Sequence, residues 1–240
     1  MAEAGAPTER EKRRERTESA RLDNFVDGAF AFAVTLLVIS GASLPKNVAA
    51  LEHALRGVPA FAACFVQLAV FWHGHVRWRD VTRLTDGTSR HLSLLLVFFA
   101  LIFVFPLHLV YAIFFGGITG GALSPDFAHF TTTLTALSSL FVCYGLSYAC
   151  MAGTLALLFR HGIGNAVHLP REELINTRAG MVTWSFCGSV GLLSALIALL
   201  AIAIGQAWPI MVAGCSYALL WATGSVKKRY RSNLEATLPS

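Results

Sequence analysis

The chain is poor in charge. Only 14% of its 240 residues are Asp, Glu, Lys or Arg, where a soluble domain carries about 25%. It has no T-V-G-Y-G run, so the carbonyl-ring filter of ordinary potassium channels is absent, and no G-x-x-x-x-G-K-[ST] phosphate loop. No basic stripe with interleaved aromatics occurs outside the apolar blocks, which argues against nucleic acid as a partner. The five cysteines (Cys64, Cys143, Cys150, Cys187, Cys215) are odd in number, lie inside apolar segments and form no C-x-x-C pair. They read as small apolar residues rather than disulfides or a metal site. No Ser/His pair sits in a nucleophile motif and no two carboxylates share an apolar block, so no enzyme chemistry and no cofactor is expected.

What is present is long apolar blocks. The chain is 55% hydrophobic, with a mean hydropathy of +0.59. Six blocks are long enough to cross a hydrocarbon core of about 30 Å as helices. They fall at about 25–43, 58–76, 92–115, 130–159, 179–205 and 208–226. The fold class is therefore all-α membrane protein, with residues 21–228 as one six-helix domain. Residues 1–20, dense in both charges, read as a disordered tail or frayed helix, and 229–240 as a short tail.

Charge placement orients the chain. Of 19 lysines and arginines, all but Lys46 and Arg56 lie at the two ends of the chain (up to Arg21 and from Lys227) or in the loops at 77–91 and 160–178. Six spans put both ends and both of these loops on one side, and the positive-inside rule makes that side the cytosol.

The most informative stretch is RLDNFVDGAFAFAVTLLVISGAS, residues 21–43. Helical stepping from Phe25 gives a face of Phe25, Gly28, Phe32, Thr35 with Leu36, Ile39 and Ser43. Ala29, Ala31 and Ala33 flank it, and small residues let helices approach closely in lipid. Asp27 sits in the first turn. It either meets the helix dipole there or marks an ion path or inter-helix contact, with Arg21 as its expected partner.

Arg21-x-x-x-Phe25-Val26-Asp27-Gly28, followed by Ala31-Phe32-x-x-Thr35-Leu36-Leu37-Val38, resembles the signature of the endosomal and lysosomal potassium channel family, transmembrane protein 175 type. The prokaryotic signature runs R-x-x-x-F-S-D, then A-I-x-x-T-L-L-V-L. Two positions depart from it: Val26 stands where the family has serine, and Phe32 where it has the pore-constricting isoleucine.

The resemblance implies a homotetramer of this single six-span unit in a bacterial plasma membrane, conducting potassium through a pore lined by the first helix. Phe32, Leu36 and Ile39 would form the apolar gate. Thr35 would face a passing ion or bond its own backbone. Arg21, Phe25, Asp27 and Gly28 would shape the pore mouth. Two further readings stay open. One is a proton-coupled carrier using Asp27, His108 and the hydroxyl-rich fourth span. The other is a relative that does not conduct, given Val26 and Phe32.

Secondary candidates are His75 and His108. His75 lies with His73 in an aromatic and basic cluster, WHGHVRWR, that marks a membrane interface. The two histidines are two apart and point to different sides of a helix, so a metal site is not expected. His108 follows Pro106 inside the third span and reads either as a functional intramembrane group or as the partner of a carbonyl freed by the proline. Gln67 is the lone polar residue midway along the second span.

Overall fold

A computed structural model describes residues 9–41, 45–124, 133–165 and 169–237. Among these residues the protein is entirely helical: α1 (Glu9–Gly41), α2 (Val48–Arg56), α3 (Val58–Thr82), α4 (Gly87–Thr119), α5 (Leu134–Asn165), α6 (Arg171–Ile204), α7 (Trp208–Cys215) and α8 (Thr223–Thr237). A 3-10 segment, Ser216–Ala222, joins α7 to α8. Six helical stretches are long and apolar enough to span a membrane, as the sequence predicts. Ser43 and Phe130 to Thr132, assigned above to the first and fourth spans, lie outside the described residues.

The helices are longer than the apolar blocks. The loop expected at 77–91 shrinks to 83–86, because α3 runs to Thr82 and α4 begins at Gly87. Polar residues at headgroup depth do not end a helix; a cap does. Here Arg83 adopts a left-handed φ of 49° and donates its backbone N–H to the Arg79 carbonyl. Asp86 then caps α4 by accepting from the Thr88 N–H at 3.2 Å and the Ser89 hydroxyl at 2.6 Å. The charged tail is also helical among its described residues, and from Glu9 it is continuous with the first span. Glu, Lys and Arg are good helix formers, and Glu18 and Arg21 have the i, i+3 spacing that supports a helix in water.

The link after the first span contains a short helix that hydropathy alone does not delimit. Asn47 caps α2 by accepting from the Ala50 N–H at 2.7 Å. Val48, Leu51 and Leu55 on this helix are exposed. At the other end, the described residues from Arg229 are helical as well. α8 continues to Thr237, fastened to α6 by Arg231 reaching Asn176 Oδ1 at 3.1 Å and Glu172 at 3.5 Å.

The core lies where α3, α4 and α5 meet, filled by Leu68, Phe71, Trp78, Leu96, Phe103, Leu107, Met151 and Leu155. Phe71 is its centre: Phe103 and Tyr148 meet it edge-on at 6.0 and 5.2 Å, and Trp184 stacks on it at 5.4 Å. α4 runs through Pro106 without a break, and the proline ring is buried.

The tightest crossing is α5 against α6. A Cβ on Gly145 would stand 2.6 Å from the Gly191 carbonyl oxygen, and one on Gly191 would stand 2.8 Å from the Gly145 oxygen. The spacing of Cys187, Gly191 and Ala195 marks this face in the sequence, and all three pack inward. The 3-10 segment has a local cause. The hydroxyls of Ser194 and Ser216 both donate to the Ala213 carbonyl, at 3.0 and 2.7 Å, and so compete with the backbone N–H that an α-helix would place there.

Candidate pore face and its supports

α1 has two unlike faces. Val26 (0% exposed), Phe30, Ala33 and Leu37 (1%) pack into the bundle, where α1 lies on α3 and α4. On the opposite side Phe25, Phe32 (55%), Thr35 and Ile39 (68%) are exposed, and Gly28 has open space around it. Leu36 is half-buried on the border, touching the core cluster. The stripe picked out by helical stepping is thus the one that a single subunit leaves uncovered. Val26 points the other way. An apolar side chain fits that dry position, where a hydroxyl would need a partner. The Thr35 hydroxyl donates to the Ala31 carbonyl at 3.1 Å, within its own helix.

The supports of this face come from α3. The Trp72 indole Nε1–H donates to Asp27 Oδ1 at 2.8 Å. One helical turn earlier, Asp23 Oδ1 accepts from Arg79 Nε at 2.8 Å, and Arg79 also donates to the Leu84 carbonyl. The helices are antiparallel, so residues four apart on α1 meet residues seven apart on α3 in reverse order. Arg79 is buried and Asp23 about one-third exposed, so this pair is screened less than a surface ion pair.

This geometry corrects one expectation. Within the subunit Asp27 is held by Trp72, not by Arg21. Six residues along a helix set Arg21 and Asp27 roughly 120° apart around its axis, and Arg21 is exposed. Asp23, Trp72 and Arg79 were missed as a constellation. The available signal was Asp23 and Asp27 at i, i+4, facing a segment rich in Trp and Arg.

His75 is buried. Its Nε2 is hydrogen bonded to Ser93 Oγ at 2.9 Å, and its ring leans on Trp78 at 5.6 Å. It therefore ties α3 to α4 and lies away from the exposed stripe. His108, two residues past Pro106, is half-buried on α4. His73 is exposed, and no group of three metal-ligating side chains occurs among the described residues. Gln67 anchors a polar knot inside the bundle: its amide donates to the Tyr144 hydroxyl at 2.9 Å, and its carbonyl oxygen accepts from the Tyr111 hydroxyl at 2.6 Å. For Tyr144, then, the polar groups of the fourth span tie helices together.

At the basic end of the bundle His161 Nε2 lies 2.7 Å from Asp86 Oδ2. Partial burial pushes the Asp86 carboxyl up. The hydrogen bonds from Ser89 and His161 and the charge of His161 pull it down further, leaving it below its ordinary 3.8.

Comparison with known proteins points one way. The family model described as Endosomal/lysosomal potassium channel TMEM175 matches residues 21–106, which takes in the α1 stripe, its α3 supports and the first part of α4. A protein of Marivirga tractuosa named "Potassium channel" is 29% identical over 189 residues, 76% of each chain. A crystal structure of a variant of the potassium channel MtTMEM175, in complex with a nanobody–MBP fusion, superposes with a TM-score of 0.76 at 26% identity. The match covers 89% of this chain and 93% of that one.

Proposed function

We propose that the chain is a member of the TMEM175 family and a potassium-permeable channel. Four copies surround an axis, and α1 of each copy lines the pore. The observation that carries this reading is the two-faced α1: one side is sealed into the bundle at Val26 and Leu37, and the other leaves Phe32 and Ile39 more than half exposed. A lipid-facing helix shares the exposed apolar side. It does not need a carboxylate tethered at one end of that side by Trp72 and a second, Asp23, clamped to a buried arginine.

In the tetramer Phe32, Leu36 and Ile39 stack as apolar rings that close the path by narrowing and dewetting. The aromatic ring at Phe32 is the tightest. The Thr35 hydroxyl, bonded to its own helix, can turn its oxygen lone pair to the ion. Phe25 and Gly28 form the mouth with Asp27, while Arg21, exposed within the subunit, meets the neighbouring copy. A hollow of about 330 Å³ between α1 and α3, lined by Ala31, Val34, Phe65 and Trp72 among others, would receive an adjacent α1. The ends of the chain face the cytosol, following the positive charge, in a bacterial plasma membrane.

The test is potassium flux into liposomes holding the purified protein, with sodium as the control ion. Potassium-favouring flux that rises in Phe32→Ala supports the pore. Flux and selectivity unchanged in Phe32→Ala would remove α1 from the pore. A folded tetramer that passes neither ion, with Phe32 intact or as Ala, would make this chain a family member that does not conduct.

A further inference from the structure

A second feature lies on the outer side of α3, next to the hollow beside α1, with which it shares Phe65 and Ala69. An open groove of about 410 Å³ runs between α3, the end of α5, the start of α6 and α8. Phe65, Val66 and Val70 line its apolar part and are exposed. Its floor is made by two rings lying against glycines. A Cβ on Gly74 would come 2.4 Å from the Trp184 ring, and one on Gly180 would come 2.6 Å from the Phe159 ring. Any larger residue at either position would lift a ring into the groove.

The groove is closed at one end by charge. Arg77 and Lys227 stand on its rim, beside His73, and no carboxylate is among the described residues that line it. Arg77 acts on Lys227 as a like charge, so the rim carries two neighbouring positive charges. From Arg77 to Phe65 is twelve residues of helix, about 18 Å at 1.5 Å per residue. One leaflet of a hydrocarbon core about 30 Å thick is about 15 Å deep. The apolar part thus has the depth of one leaflet, and the cations lie at the level of its headgroups.

We propose that this groove seats an anionic phospholipid, its phosphate on Arg77 and Lys227 and one acyl chain along Phe65, Val66 and Val70. Charge selects this occupant: a neutral protein surface would leave two cations facing one another at the membrane edge, whereas a net-negative headgroup relieves both.

The test is native mass spectrometry of the full-length protein in detergent, titrated with phosphatidylglycerol and, separately, phosphatidylcholine. The wild type forms phosphatidylglycerol adducts at a lipid concentration at least about tenfold lower than phosphatidylcholine adducts, the size of effect that two basic contacts to an anionic headgroup supply. The doubly substituted Arg77→Gln, Lys227→Gln protein loses that preference while keeping the oligomer mass of the wild type. Val70→Trp, which fills the apolar part, weakens both lipids. Equal binding of the two lipids by the wild type overturns the proposal, as does a preference that survives in the double variant. If Val70→Trp breaks the oligomer and leaves lipid adducts unchanged, the groove belongs to a second copy of the chain.

Discussion

Replacing Gly191 by alanine tests what holds the outer helices together, because two opposing effects meet at that residue. Alanine is favoured over glycine in a helix interior by about 1 kcal/mol. Against this, the new Cβ would stand 2.8 Å from the Gly145 oxygen and 3.0 Å from the Ala149 nitrogen, where ordinary contact begins at 3.4 Å. Both obstacles are helix backbone and cannot swing aside as a side chain can. α5 and α6 must part locally by roughly half an ångström, and a gap of that size forfeits about a quarter of each dispersion contact along the seam. Overpacking of this kind costs about 1–3 kcal/mol, and the opened seam adds to it, so the net effect is a loss of about 1–3 kcal/mol. At about 2–4 °C per kcal/mol for a chain of this length, the unfolding midpoint in detergent falls by about 2–12 °C. Gly153→Ala is the matched control. It lies in α5, a Cβ there meets nothing within 4 Å, and only the propensity gain remains. The reasoning is refuted if Gly191→Ala is as stable as Gly153→Ala in the same detergent scan.

Gln67→Leu removes the shared partner of two tyrosines and leaves the buried Tyr144 hydroxyl unpaired. It lowers stability by about 1–3 kcal/mol, whereas Gln67→Leu combined with Tyr144→Phe recovers part of the loss in a double-mutant cycle. Trp72→Phe keeps the ring and deletes only the N–H that reaches Asp27. It costs about 1 kcal/mol after allowance for exposure, and Asp27→Asn, which keeps an acceptor oxygen, costs less; equal losses in a thermal scan would assign the contact to charge rather than to the hydrogen bond. Asp86 gives a pH signature. Its carboxyl titrates below 3.8 in the folded protein, so its stabilising contribution is fully present above the unfolded value of about 3.9 and disappears as pH falls through the lower, folded value. The stability difference between wild type and Asp86→Asn therefore holds from neutral pH down to about 4 and closes below it; a difference that already closes near pH 6 would contradict this origin.

The sequence by itself determined the span count and the faces. Six blocks of apolar residues cannot do otherwise in lipid than form helices, because every backbone amide must be satisfied within its own segment. A 3.6-residue period then fixes which side chains share a face, so Phe25, Gly28, Phe32, Thr35 and Ile39 were legible as one stripe, and Gly191 and Ala195 as another. The resemblance to a channel family was legible for the same reason: its motif lies within one helix.

Tertiary structure decided what each face meets. Periodicity assigns Asp27 an angle around its helix but not a partner. The nearest cation in the chain, Arg21, is on the wrong side of that helix, and the group that reaches Asp27 is Trp72, 45 residues on. Whether Asp23 was a surface charge or half of a clamp depended on Arg79 arriving from an antiparallel neighbour. His75, Gln67 and the groove above Gly74 and Gly180 follow the same logic. Each depends on the rotation and register of one helix against another, and these are set by side-chain packing summed over several helices, which no local stretch of sequence encodes.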